Sequence, residues 1–181
     1  CLKDAKAYGG TTVLLVPAVV KKDVTYAQAY ERSQAEIKKC LPTAQELGIQ
    51  ILFENVWNNF LLSPLEYARY IDEFDSPMVG AYFDVGNVVI YAFPQDWIRT
   101  LGSRIVKVHL KDFSFDRSNG RFAWKNLGEG DIDWPEVRRA LNDVGYAGYV
   151  TTELQAGDAA YLKAVARRVD RFLAGERPAG L

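Results

Sequence analysis

The chain has 181 residues, 49% of them hydrophobic, with 22 basic side chains (lysine and arginine) against 23 acidic ones. This suits a folded globular body rather than a disordered segment. The formal net charge of −1 gives no electrostatic reason to expect nucleic acid or an anionic membrane as partner. No apolar run approaches the roughly 20 residues of a membrane span, and no charged-then-apolar leader opens the chain. Cys1 and Cys40 are the only cysteines, which argues against a disulfide framework and fits a reducing cytoplasm. The first residue is a cysteine and the chain opens in a polar stretch running straight into a strand. It reads as the C-terminal part of something longer.

The first strand is expected over 12–16, closed by Pro17. Thr25 and Gln28 form a capping box for a helix whose stripe is Tyr30, Ile37, Leu41 and Ala44. Pro42 falls inside it and should kink or split it; Gly48 ends it. Residues 49–53 are almost wholly apolar, as for a strand buried on both faces of a parallel sheet. Ser63 and Glu66 are expected to form a capping box, with Pro64 at the first helical position, for a second helix running to about Phe74, and 79–83 is the next strand. Residues 94–101 read as a shorter helix stopped by Gly102, and 104–108 as the fourth strand. From about Phe113 to Trp124 the rhythm breaks, and Asn119-Gly120 predicts a hairpin turn. Asp133 caps another helix, with Gly145 past its end. Residues 149–152 are the fifth strand, and Asp158 opens a final helix to about Leu173.

Five strands alternating with helices imply parallel βαβ crossovers. The strand spacing is about the 30 residues of a (β/α)8 barrel. On that arithmetic residues 1–181 are one domain holding the C-terminal five or so βα units of a TIM barrel, with about three absent. A self-contained open α/β sheet is the alternative.

Four residues then stand out. Glu54, Asp84, His109 and Glu153 each sit at the end of a β-like run, where a parallel βα array gathers its functional groups on one face. A carboxylate set right after buried strand residues is expensive unless compensated, and a cation offsets that expense. Three carboxylates and an imidazole suit Mn²⁺, Mg²⁺, Co²⁺ or Zn²⁺ rather than a thiophilic ion. The residues that follow should line the same mouth: Asn55 and Asn58, Gly86 and Asn87, Lys111 and Asp112. Asn58, Asn87, Lys111 and Asp112 are the expected contacts to a polyhydroxylated or anionic substrate. Trp57, Phe60, Tyr91, Phe93 and Trp97 either cover a sugar face or fill the core.

The motifs Glu54-Asn-Val-Trp-Asn-Asn-Phe60, Asp84-Val-Gly-Asn87, Val108-His-Leu-Lys-Asp112 and Leu127-Gly-Glu-Gly-Asp-Ile-Asp-Trp134 resemble the xylose isomerase-like barrel superfamily. Within it they look most like sugar-phosphate isomerases and epimerases, including L-xylulose- and L-ribulose-5-phosphate 3-epimerases and hexulose-6-phosphate isomerase-like proteins. The resemblance implies one divalent metal on Glu54, Asp84, His109 and Glu153, with the two glutamates also acting as the acid/base pair across an enediolate. The D-tagatose and D-psicose 3-epimerases carry histidine where this chain has Asn87, which favours the phosphorylated-pentulose branch. A single histidine rules out the branch of endonuclease IV, which binds several zinc ions.

The expected activity is therefore 3-epimerisation of a ketopentose 5-phosphate by a cytoplasmic enzyme, compatible with a homo-oligomer. Free-ketose 3-epimerase, aldose–ketose isomerase and inosose-type dehydratase are the rival enzymes, and a non-catalytic sugar-binding barrel is the rival of another class. The phosphate is expected on the loop holding Lys111, Arg117, Arg121 and Lys125, whose Gly128 and Gly130 let backbone approach an anion.

Overall fold

The computed structural model describes residues 1–179. Five strands make one sheet in the order β1-β2-β3-β4-β7, and a separate hairpin is formed by β5 and β6. The chain divides into two compact units, Cys1–Phe83 with Arg104–Lys107, and Asp84–Ser103 with Val108–Leu181. Among the described residues no helix is long and apolar enough to cross a membrane.

In the first unit, α1 (Leu2–Ala7) precedes β1 (Thr12–Leu15). The opening is thus a helix and not a polar run into a strand. Leu, Lys and Ala favour helix, and Asp4 in the first turn pairs with the terminal amine at 3.1 Å. Helix α2 (Tyr26–Leu47) starts on the expected capping box: Thr25 Oγ1 accepts from Gln28 N, and Gln28 Oε1 from Thr25 N. It ends on Gly48, whose φ of 65° is the left-handed region that glycine enters without penalty. Pro42 does not split it. Proline removes one N–H, and the buried Ile37 and Ala44 on either side hold the helix through that loss.

Strand β2 (Gln50–Glu54) pairs in parallel with β1, Leu14 opposite Leu52, and with β3 (Val79–Asp84), Glu54 opposite Tyr82. Helix α3 (Pro64–Asp72) begins at Ser63, whose hydroxyl accepts from Glu66 N. The Glu66 carboxylate reaches Leu62 N instead of closing the box on Ser63. Above β2 an aromatic cluster packs largely edge-on: Tyr30, Phe53, Phe60 and Phe74 surround Tyr70 at centroid distances of 5.0 to 5.5 Å. Such pairs add about 0.5–1.5 kcal/mol each beyond area burial, which makes this a stiff support for the end of β2.

In the second unit, α4 (Pro94–Leu101) has the predicted limits, and β4 (Ile105–Leu110) leads into the hairpin β5 (Asp112–Asp116) and β6 (Arg121–Lys125). The predicted turn is there, with Gly120 at φ 68° and Asp116 accepting from Ser118 and Asn119. Helix α5 (Trp134–Asp143) is capped by Asp133. Strand β7 (Val150–Thr152) pairs in parallel with β4, His109 opposite Thr151. Helix α6 (Ala159–Leu173) is capped by Asp158. Trp134 meets Phe172 edge-on at 5.4 Å, and both are fully buried.

Candidate metal centre

The strands run further than their apolar runs suggest, so Glu54 and Asp84 are the last residues of β2 and β3, and His109 lies inside β4. Asp84 is fully buried, and its Oδ1 accepts from Asn87 N at 2.7 Å. The next residue, Val85, donates its N–H to the carbonyl of His109, and Glu153 donates its own to Leu110. Backbone bonds thus fix the three chain segments that carry Asp84, His109 and Glu153. His109 Nδ1 stands 3.8 Å from Asp84 Oδ2 and 3.6 Å from Glu153 Oε2.

Glu54 is buried, and the carbonyl just before it, on Phe53, accepts from the Tyr67 hydroxyl. Burial, and then the charge of Glu54, push the Tyr67 phenol well above its ordinary value, so it remains a donor. Glu54, Asp84, His109 and Glu153 each offer one ligand atom, and these atoms all lie within 4.8 Å of one another.

Lys111 is the cation in this group. Its Nζ is 2.6 Å from Glu153 Oε2 and 3.3 Å from Asp84 Oδ2. Burial works to lower its pKa, but Asp84 and Glu153 outweigh that and raise it. Burial likewise works to raise the Glu153 carboxyl, and the hydrogen bond and charge of Lys111 hold it below its usual range. Gly86 makes room for this lysine: a Cβ there would lie 2.5 Å from Lys111 Cγ and 2.8 Å from its carbonyl oxygen.

The donor set fits a divalent ion. Counted formally, three carboxylates against one ammonium leave two negative charges, with Glu54 and Asp84 buried and Glu153 half exposed, which a divalent cation balances. Hard oxygens with one imidazole nitrogen suit such an ion.

The expected substrate contacts divide. Lys111 stands among the candidate ligands, and Asn87 is buried beside Asp84. Asn58 instead holds backbone, donating to Ala18 O at 2.7 Å and accepting from Phe60 N. Asp112 is fully buried and spent on its own loop. Its Oδ2 accepts from Gly128 N, Gly130 N and Trp134 Nε1 at 2.7, 3.0 and 2.9 Å, and its Oδ1 from Phe113 N. The anion that Gly128 and Gly130 approach is therefore Asp112. Their amides have their acceptor already, which removes these two from the donors expected for a phosphate. Of the aromatics, Phe60 and Trp97 are core, whereas Trp57, Tyr91 and Phe93 are 43%, 41% and 61% exposed.

The family described as xylose isomerase-like TIM barrel matches residues 1–172. The chain belongs to it. Among curated relatives of this barrel family, the 3-oxo-isoapionate decarboxylase of Pectobacterium atrosepticum is 28% identical over 122 residues, 65% of this chain and 43% of the relative. The D-psicose 3-epimerase of Ruminiclostridium cellulolyticum is 26% identical over 157 residues, 83% and 50% of the two chains. An inosose dehydratase of Clostridium perfringens is 26% identical over 128 residues, 62% and 42% of the two. The crystal structure of a D-tagatose 3-epimerase-like protein superposes with a TM-score of 0.78 at 21% identity, covering 96% of this chain and 66% of that one. The chain spans half or less of the length of the three curated relatives.

Sequence reasoning missed the residues that brace the barrel-family motifs. Tyr67 lies on α3 outside every motif singled out, and Trp134 enters only as the end of the Leu127–Trp134 motif. Neither shows in sequence that its polar atom meets a carbonyl or carboxylate distant along the chain.

Proposed function

We propose that the chain carries a metal-dependent site that moves a proton at the carbon beside a ketone of a sugar or related polyol, with epimerisation at C3 of a ketose as the specific form. The observation that carries this is the approach of two glutamates, an aspartate and a histidine to within 4.8 Å. The named reactions of the relatives agree with it chemically. Epimerisation beside a ketone, decarboxylation of a 3-oxo acid and dehydration of an inosose, the reactions those names describe, are each open to a route through a carbanion beside a carbonyl.

Glu54, Asp84, His109 and Glu153 would hold the ion. When bound, it supplies Lewis-acid polarisation of the ketone oxygen. The remaining work falls to the chain. One glutamate takes the proton from the carbon beside the ketone, and the other returns one to the opposite face. Lys111 holds Glu153 in place and keeps it ionised. A 5-phosphate on the substrate loses support once the Gly128 and Gly130 amides are committed to Asp112.

In deuterated water with Mn²⁺ or Mg²⁺, a ketose or inosose turned over by the protein should take up deuterium at the carbon beside its carbonyl. Exchange is followed by proton NMR. Turnover without label uptake, or no exchange into any ketose or inosose by metal-loaded protein, would overturn the reading.

A further inference from the structure

A cavity of about 610 Å³ opens beside Lys111 and Glu153, within the size range of small-molecule sites. One wall is the β5–β6 hairpin, an insertion between β4 and α5. Every residue of β6 is exposed, yet the strand carries Phe122 and Trp124, 54% and 48% exposed. Large aromatics on an exposed strand cost solubility without filling a core.

Trp124 is also held in place. Its ring packs on the buried Phe113 at 4.8 Å between centroids, and Lys111 Nζ lies 4.8 Å from its centroid. The same ammonium reaches Glu153 and Asp84. The indole is thereby fixed by a tilted ring neighbour and a cation, with part of its surface left open in the cavity wall. A flat apolar surface beside amide and hydroxyl groups (Asn126, Gln155 and Tyr161 also line the cavity) matches the C–H face and hydroxyl rim of a polyol.

Most charges of the lining are engaged. Lys111 pairs with Glu153, and Glu129 with Arg168 at 2.6 Å. The nearby loop amides are held by Asp112, so among the described lining residues Lys125 is the lysine outside these pairs. A phosphate site uses several converging charged donors, and Lys125 is the one charged donor of the lining outside an ion pair.

We propose that the β5–β6 hairpin is the specificity wall of the substrate cavity, with Trp124 as stacking platform for a neutral polyhydroxylated ketone. This rests on the proton-transfer reading above and adds the substrate class. The test is calorimetric binding of D-psicose, scyllo-inosose and D-fructose 6-phosphate to the Mn²⁺-loaded protein and to Trp124→Ala and Trp124→Phe. At least one neutral ketone should bind more tightly than the phosphate ester. Trp124→Ala should weaken it about five- to tenfold and Trp124→Phe much less, with Mn²⁺ affinity unchanged in both. Trp124→Leu, which keeps apolar bulk without the flat face, replaces the alanine variant should circular dichroism show that one unfolded. Preference for the phosphate ester, no binding of either neutral ketone, or neutral-ketone affinity indifferent to Trp124 would each overturn the proposal. Failure of the proton-transfer reading is separately visible, as absent Mn²⁺ uptake or absent deuterium exchange in a protein whose sugar binding still depends on Trp124.

Discussion

Glu54→Gln and Glu153→Gln are each expected to lower turnover by about 10²- to 10⁴-fold, the usual contribution of a positioned acid or base. Glutamine keeps the shape and one oxygen donor of glutamate but cannot take up a proton from carbon. The two variants should differ in a second respect. Glu153 is the 2.6 Å partner of Lys111, so its loss also releases that ammonium toward Asp84. Glu54 sits after a carbonyl pinned by Tyr67, and its replacement leaves the Lys111 pair intact. Steady-state rates with metal affinity measured alongside separate proton transfer from ligand loss. A variant with unchanged turnover would remove that glutamate from the proton-transfer pair.

Asp112→Ala is expected to cost about 3–5 kcal/mol of stability, because two loop amides and an indole N–H lose their shared buried acceptor, at about 1–3 kcal/mol for each orphaned donor before relaxation. Asp112→Asn should recover part of that: its carbonyl can replace Oδ2, while its NH2 meets Phe113 N, another donor, where Oδ1 stood. The pH dependence has a definite sign. Burial raises the Asp112 carboxyl, and the bonds from Trp134, Gly130, Phe113 and Gly128 offset this only in part. A carboxyl raised on folding favours the folded state most fully below its unfolded pKa, and that contribution is lost as pH rises through the folded pKa. Wild type should therefore gain stability relative to Asp112→Asn as the pH falls toward about 4. Chemical denaturation at several pH values measures this, and a difference that moves the opposite way would contradict the assignment.

Much of the fold is legible because it is local. Capping residues Thr25, Ser63, Asp133 and Asp158 each accept the backbone N–H that their sequence position predicts. The strands follow from apolar runs, and the hairpin from Asn119-Gly120. Pro42 misleads because a helix long enough to bury both flanks tolerates one missing hydrogen bond. The four candidate ligands are legible for a different reason: a carboxylate ending a buried strand has few inexpensive explanations. What sequence could not separate is Lys111 from Asp112. They are adjacent and both polar, yet alternation along the chain sends one to the ligand group and the other into the core. The same blindness turned Gly128 and Gly130 into phosphate donors, since nothing local shows that their acceptor lies 16 and 18 residues earlier.

The central claim is a divalent ion held by Glu54, Asp84, His109 and Glu153. The most direct measurement is Mn²⁺ titration of chelator-stripped protein by calorimetry, for wild type, Asp84→Ala and His109→Ala. The account predicts one ion per chain in wild type. It also predicts a loss of affinity of more than about 100-fold in each variant, beyond the 10- to 100-fold typical of residues that only support a ligand. Full-affinity binding of one ion by both variants would contradict it.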